Sequence, residues 1–108
     1  AILDCVGLLF FIIPGLIAYA IDFSTGTIYL PGTTGSLDVK DIKQVKFDPK
    51  HYNAATIEKI IKRETGHAIK LSRNNMQVYK LKSLDDMMVR FAEVLPGIQN
   101  TRIALNIK

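Results

Sequence analysis

The chain has 108 residues, one cysteine, a hydrophobic fraction of 48% and a formal net charge of +4 at pH 7. This length allows one domain with a modest core, and a lone cysteine excludes an internal disulfide. All 14 basic residues lie between Lys40 and Lys108. Residues 1–39 are therefore called the apolar front, and residues 40–108 the basic back. Such a basic region is more often a solvated surface alone, and the partners that it would suit are anionic lipid, nucleic acid or an acidic protein face.

The apolar front contains an uncharged run of 17 residues from Cys5 to Ile21. A helix of that length spans roughly 25 Å, which is short of the roughly 30 Å hydrocarbon core of a bilayer. Pro14 and Gly15 interrupt the run, because proline lacks an N–H and restricts the residue before it. We therefore expect a broken helix or a helical hairpin that bends at Pro14-Gly15. The apolar surface of this hairpin would be buried in a membrane, against neighbouring subunits or in the core of the monomer itself.

The side chains expected to contact a membrane or a partner belong to this run: Leu8, Phe10, Phe11, Ile12, Leu16, Ile17 and Tyr19. Asp22 should mark the point where the chain leaves the apolar medium, because an unpaired carboxylate is costly there. Ser24-Thr25-Gly26 then predicts a turn with a positive φ at Gly26. A short strand over Thr27 to Leu30 should follow, since these residue types favour strands.

Residues 8–31 resemble a motif of small bacterial envelope lipoproteins, in which an apolar run leads into a fixed pattern. The matching positions are Gly15-Leu16-Ile17, Ile21-Asp22, Thr25-Gly26 and Tyr29. The resemblance implies a membrane-associated protein of the cell envelope that faces the periplasm, with Asp22, Thr25, Gly26 and Tyr29 in the motif turn. Asp4 stands before Cys5, where a lipidated cysteine of that family follows small residues, so lipidation is not carried over to Cys5.

Pro31 to Ser36 predict a loop, which divides the chain into an apolar segment (1–31), a linker (32–36) and an interaction domain (37–108). The domain should begin with an extended stretch over 37–47 that breaks near Asp41. A helix should follow between an N-cap at Asn53 and a stop at Gly66. Its inward stripe would be Ile57, Ile60 and Ile61.

The second half of the predicted domain begins with a strand over 67–72, a turn over 73–75 and a returning strand over 76–82. Ser83 should cap a second helix, Pro96-Gly97 should end it, and the alternation over 101–107 predicts a last strand. The order βαββαβ predicts an α+β, ferredoxin-like sandwich in which two helices cover one face of a sheet. Its predicted core is Val45, Ile57, Ile60, Ile61, Ile69, Leu71, Val78, Phe91, Leu95, Ile103 and Leu105.

Residues 45–107 also resemble the small periplasmic domain at the N-terminus of secretins and of some TonB-dependent receptors. The resemblance lies in Phe47-Asp48-Pro49, Glu64-Thr65-Gly66, the predicted hairpin and Ser83-Leu84-Asp85-Asp86. It implies a module for protein interaction and ring formation, and not an enzyme.

Residue types that carry chemistry are scattered along the chain. The glycines form no phosphate-binding loop, and Asp22, Asp48 and His51 lack the spacing of a metal site, so we expect no cofactor and no enzymatic activity. The first function hypothesis is a non-enzymatic envelope protein, membrane-associated through its N-terminal segment, that assembles with other protein subunits or with copies of itself. The alternative is a basic nucleic-acid-binding module of RRM-like topology. That alternative has weaker sequence support, because Gln77-Val78-Tyr79-Lys80 offers one aromatic residue for base stacking.

Overall fold

A computed structural model describes residues 7–31, 42–72, 74 and 76–106 of the chain. The elements are β1 (Leu8–Ile13), β2 (Ile17–Asp22), β3 (Thr27–Leu30), β4 (Lys43–Lys46), α1 (Ala54–Thr65), β5 (Gln77–Lys80) and α2 (Leu84–Asn106). The predicted α+β class is confirmed. The predicted linker over 32–36 lies outside the described residues.

The five strands form one antiparallel sheet with the order β4-β3-β2-β1-β5. A tight turn joins β1 to β2, in which Gly15 has a φ of 75° and the N–H of Leu16 donates to the Ile13 carbonyl at 3.0 Å. The predicted bend at Pro14-Gly15 is therefore confirmed, but it joins two strands. The predicted N-terminal helix or helical hairpin is wrong.

The apolar front forms strands because both faces of its sheet are covered by helices. Phe11 and Tyr19 belong to the cluster under α1, whereas Phe10 and Ala20 belong to the cluster under α2. A strand that is buried on both faces has apolar residues at every position and loses the alternation that marks a half-buried strand. The same uninterrupted run therefore fits a buried strand as well as a buried helix.

Helix α1 has the boundaries that the sequence predicts. The side chain of Asn53 accepts a hydrogen bond from the N–H of Thr56 at 2.8 Å, and Gly66 closes the helix with a φ of 80°. The inward stripe Ile57, Ile60 and Ile61 is buried as predicted. These side chains pack on the sheet face that carries Phe11 and Tyr19.

Helix α2 covers the opposite face. The N–H of Asp86 donates to the Ser83 hydroxyl at 3.1 Å, which confirms the predicted cap. The fully buried Phe91 ring contacts Phe10 edge-on, with 4.9 Å between the ring centroids. Met87 is also buried, whereas Leu84 is 51% exposed.

The predicted end of α2 at Pro96-Gly97 and the predicted strand over 101–107 are wrong, because α2 continues to Asn106. Proline removes one N–H from a helix and does not always stop it. Seven alternating residues are also too few to exclude a helix.

The predicted ferredoxin-like order βαββαβ is also wrong. Three strands from the apolar front join the sheet, and the two helices lie on opposite faces of that sheet. Residues 67–72, which were predicted as a strand, stay outside the sheet. Arg73 and Asn75 of the predicted turn lie outside the described residues.

The predicted core is confirmed in part. Ile57, Ile60, Ile61, Ile69 and Phe91 are buried, and Val45, Leu71 and Val78 pack against the core while partly exposed. Leu95, Ile103 and Leu105 fall outside the side chains that are described.

Candidate functional site

The residues predicted to contact a membrane or a partner lie in the interior of the folded chain. Phe10, Phe11, Ile17 and Tyr19 are buried, and Leu8, Ile12 and Leu16 are partly buried. Their contact with a membrane or another subunit stays a prediction. Among the residues that the structure describes, no helix is both long and apolar enough to cross a membrane.

The predicted motif turn closes the β2–β3 hairpin. The Asp22 carboxylate accepts hydrogen bonds from the N–H groups of Ser24 at 2.9 Å and Thr25 at 3.3 Å. Gly26 has the predicted positive φ, of 71°, and its N–H donates to the Asp22 carbonyl at 2.9 Å. Tyr29 is buried under α2, and this burial, followed by the charge of Asp22, raises the pKa of its hydroxyl. The four motif residues thus have a structural role that the geometry explains.

Tyr19 carries a buried hydroxyl. Its ring stacks on Phe11 with 5.1 Å between the centroids, and no hydrogen bond to the hydroxyl occurs within the described ranges. Burial, followed by the nearby charge of Glu58, raises the pKa of this hydroxyl far above its usual range. The hydroxyl therefore stays protonated and neutral under physiological conditions.

The polar residues considered as metal ligands form no such site. His51 Nδ1 lies 3.0 Å from Asp48 Oδ2, and both side chains are exposed. The Lys50 N–H and the His51 ring hold the pKa of the Asp48 carboxyl below its usual value. Over residues 7–31, 42–72, 74 and 76–106, no three His, Cys, Asp or Glu side chains are placed to share a metal ion.

An open groove lies between α1 and the extended segment 68–70, and we call it the α1 groove. Its volume is about 310 Å³. Its lining combines small, apolar and charged side chains: Ala55, Glu58, Lys59, Lys62, Ala68, Ile69 and Lys70. The volume is at the lower end of the range of roughly 300–1,000 Å³ for small-ligand sites.

The α1 groove is cationic. No ion pair in the described part of the chain includes Lys59, Lys62 or Lys70, all of which are exposed. The one acidic side chain of the lining, Glu58, accepts a hydrogen bond from the N–H of Leu71 at 2.8 Å. Three exposed lysines therefore line an opening whose one carboxylate already has a hydrogen-bond partner.

Two other cations near α1, in contrast, share an acidic partner. Lys43 and Arg63 both pair with the carboxylate of Glu64. Their hydrogen bonds, first that of Lys43 and then that of Arg63, hold the pKa of Glu64 below its usual value. This contrast distinguishes the lysines of the groove from the cations beside them.

Sequence patterns alone do not reveal the groove. They place Lys59 and Lys62 on the outer face of a helix and Lys70 on a strand of the sheet. The structure brings the three together because residues 67–72 leave the sheet and run beside α1, where Leu71 binds Glu58. The available signal was the surplus of basic residues in the back region, which does not show where they meet.

Comparison with known proteins gives no match: no family model, curated protein or solved structure is similar to the chain. The site is therefore interpreted from its own geometry and charge.

Proposed function

We propose that the chain is a non-enzymatic bacterial cell-envelope protein whose α+β module assembles with other envelope subunits. The observation that carries this proposal is the α1 groove, in which three exposed lysines lie without acidic partners among the described residues. An acidic surface on another subunit would supply the countercharges, and such complementarity steers association and sets its specificity.

The envelope location rests on the sequence motif of residues 8–31 and on the resemblance of residues 45–107 to periplasmic domains of secretins and TonB-dependent receptors. The proposal includes membrane association through residues 1–31 on the periplasmic side. Because β1 and β2 contribute their apolar side chains to the core, this association has to coexist with the folded sheet. Assembly of several copies of the chain is compatible with the same surface.

Nucleic-acid binding in the manner of an RRM has less support. That mode uses aromatic residues on an open sheet face to stack bases. Here Phe10 and Tyr29 lie under α2, while Phe11 and Tyr19 lie in the cluster under α1. If the chain did bind nucleic acid, the lysines of the α1 groove would contribute sequence-independent, salt-sensitive contacts to phosphates.

The test is to express the complete protein in its bacterial host and separate cytosol, periplasm and membranes. In parallel, cells are treated with ultraviolet light to trap bound nucleic acid and with a short amine-reactive crosslinker to trap bound proteins. The proposal predicts an envelope fraction and crosslinks to identified envelope proteins. A cytosolic protein whose main crosslinked partner is nucleic acid would reject the proposal in favour of its alternative.

A further inference from the structure

We infer that the α1 groove binds an extended acidic peptide segment of a partner protein, which pairs with the main chain of residues 68–70 and places its carboxylates against Lys59, Lys62 and Lys70. This inference rests on the proposed function, because it names the chemistry of the partner that assembles with the module.

Segment 68–70 has the alternating burial pattern of a β-strand, but it is paired with no strand of the sheet. Ile69 is buried and Leu71 partly buried, whereas Ala68 and Lys70 are exposed, so inward and outward side chains alternate. The segment nevertheless belongs to no sheet. Within the described ranges, the N–H groups of Ala68, Ile69 and Lys70 donate no hydrogen bond, whereas the Lys70 carbonyl accepts one from the N–H of Ser72 at 2.9 Å. Because successive N–H groups of an extended chain point to opposite sides, a peptide on one side pairs with alternate ones. An extended main chain with free donors is the surface to which a peptide adds as a new strand.

The segment is also fixed in place before any partner arrives. Ile69 packs in the core cluster under α1, and the Leu71 N–H is held by the Glu58 carboxylate. A receptor strand that is already ordered loses little conformational entropy when it binds.

The charge of the groove selects an acidic peptide. A strand presents alternate side chains on the same side, so acidic residues at every second position would reach the lysines from one side of the peptide. Neutralisation of three ammonium groups would make the affinity depend on ionic strength.

The lining argues against nucleic acid as the occupant. Single-stranded nucleic acid binds through a basic track combined with aromatic side chains that stack on the bases. The residues that line the groove include no aromatic side chain, and they include the carboxylate of Glu58. Main-chain donors bind the oxygens of a phosphate as well as those of a peptide, so the discriminating feature is that no aromatic side chain lines the groove to stack on a base.

The experiment measures binding of fluorescent probes to the full chain by anisotropy. The first probe is a decapeptide of alternating glutamate and valine. The second is the same peptide with an N-methyl group on every residue, which removes the main-chain donors of both edges and keeps the charge. The others are a lysine–valine decapeptide, single-stranded oligo-dT and vesicles that contain phosphatidylglycerol. We expect saturable binding of the first probe and at least tenfold weaker binding of the N-methylated and lysine peptides.

Matched variants separate the groove from general electrostatic attraction. Lys59→Gln combined with Lys62→Gln should weaken binding of the acidic peptide by about tenfold, since each exposed ion pair contributes a few-fold. The control combines Lys50→Gln with Lys82→Gln, which removes the same charge from exposed positions outside the groove lining. This control should bind within about twofold of the parent chain, and circular dichroism should show that all variants are folded.

Three outcomes would overturn the inference: equal losses in the two double variants, equal binding of the N-methylated peptide, or preferred binding of oligo-dT or vesicles. Failure here leaves the proposed function standing if crosslinks to envelope proteins persist, because assembly would then use another surface. Conversely, peptide binding by a protein found in the cytosol would reject the envelope location and leave the groove chemistry intact.

Discussion

Gly26 and Phe47 form a main-chain contact that fixes the motif turn to the end of β4. The Phe47 N–H donates to the Gly26 carbonyl at 2.8 Å. A Cβ atom on residue 26 would overlap the Phe47 carbonyl oxygen and press on Pro49. Gly26 is therefore required twice, once for its positive φ and once for the space that its missing side chain leaves.

This double requirement predicts that Gly26→Ala destabilises the fold more than Gly66→Ala. Both glycines have a positive φ, and alanine in that region costs about 1–3 kcal/mol. At Gly66 nothing lies within 4 Å of an added Cβ, so strain of the backbone is its whole cost there. Urea unfolding of the two variants measures the difference. Equal losses of unfolding free energy would contradict the close contact with Phe47.

The edge-on contact of Phe10 and Phe91 predicts that Phe91→Ala costs about 3–5 kcal/mol of unfolding free energy, the range for a buried aromatic side chain. Val89, on the same helix, is 57% exposed, so Val89→Ala should change stability by less than about 0.5 kcal/mol. Chemical denaturation of both variants provides the measurement. Wild-type stability of Phe91→Ala would show that α2 does not pack on the sheet as described.

The hydroxyl of Tyr19 predicts a substitution that stabilises the protein. A buried polar group without a partner costs about 1–3 kcal/mol, so Tyr19→Phe should raise the unfolding free energy by about 1 kcal/mol at pH 7. The control is Thr27→Val: the Thr27 hydroxyl accepts a hydrogen bond from Lys46 Nζ at 2.6 Å, and its loss should cost about 0.5–1.5 kcal/mol. The two variants should shift the urea midpoint in opposite directions, and a shared direction would reject this interpretation of Tyr19.

The raised pKa of Tyr19 also predicts how stability depends on alkaline pH. The unfolded chain releases the tyrosine proton near the ordinary pKa of about 10, whereas the folded chain retains it. Ionisation of Tyr19 in the unfolded chain therefore leaves the stability unchanged well below pH 10 and lowers it progressively above that pH. Between pH 10 and 11 the wild type should lose about 1 kcal/mol more than Tyr19→Phe, because the phenylalanine variant lacks this titration. Parallel stability curves over that interval would contradict the burial of this hydroxyl.

Local signals in the sequence predicted the parts of the fold that depend on neighbouring residues. The ends of α1 follow from Asn53 and Gly66, and the β2–β3 turn follows from Asp22 and Gly26, because caps and turns are built from contacts within a few residues. The bend at Pro14-Gly15 was found for the same reason. None of these signals depends on which distant element covers them.

Long-range packing accounts for the errors. β1 lies between β2 and β5, and the pairing of Phe11 with Val78 joins the apolar front to the back of the chain. Periodicity cannot reveal such a pairing, and a run buried on both faces has no period of its own. The α1 groove was not predicted for a related reason. Lys59 and Lys70 both line it because segment 68–70, which has the sequence pattern of a strand, lies beside α1 and not in the sheet.

Assembly through the α1 groove is tested most directly by a photoreactive amino acid placed at Ala68, in the groove, and at Lys50, on the exposed loop before α1. Each variant of the complete protein is irradiated in living bacteria, and the partner and the crosslinked peptide are identified by mass spectrometry. We predict that residue 68 crosslinks an acidic segment of an envelope protein and that residue 50 gives much less of this product. Equal yields at the two positions, or crosslinks from residue 68 to nucleic acid instead, would contradict the assembly role of the groove.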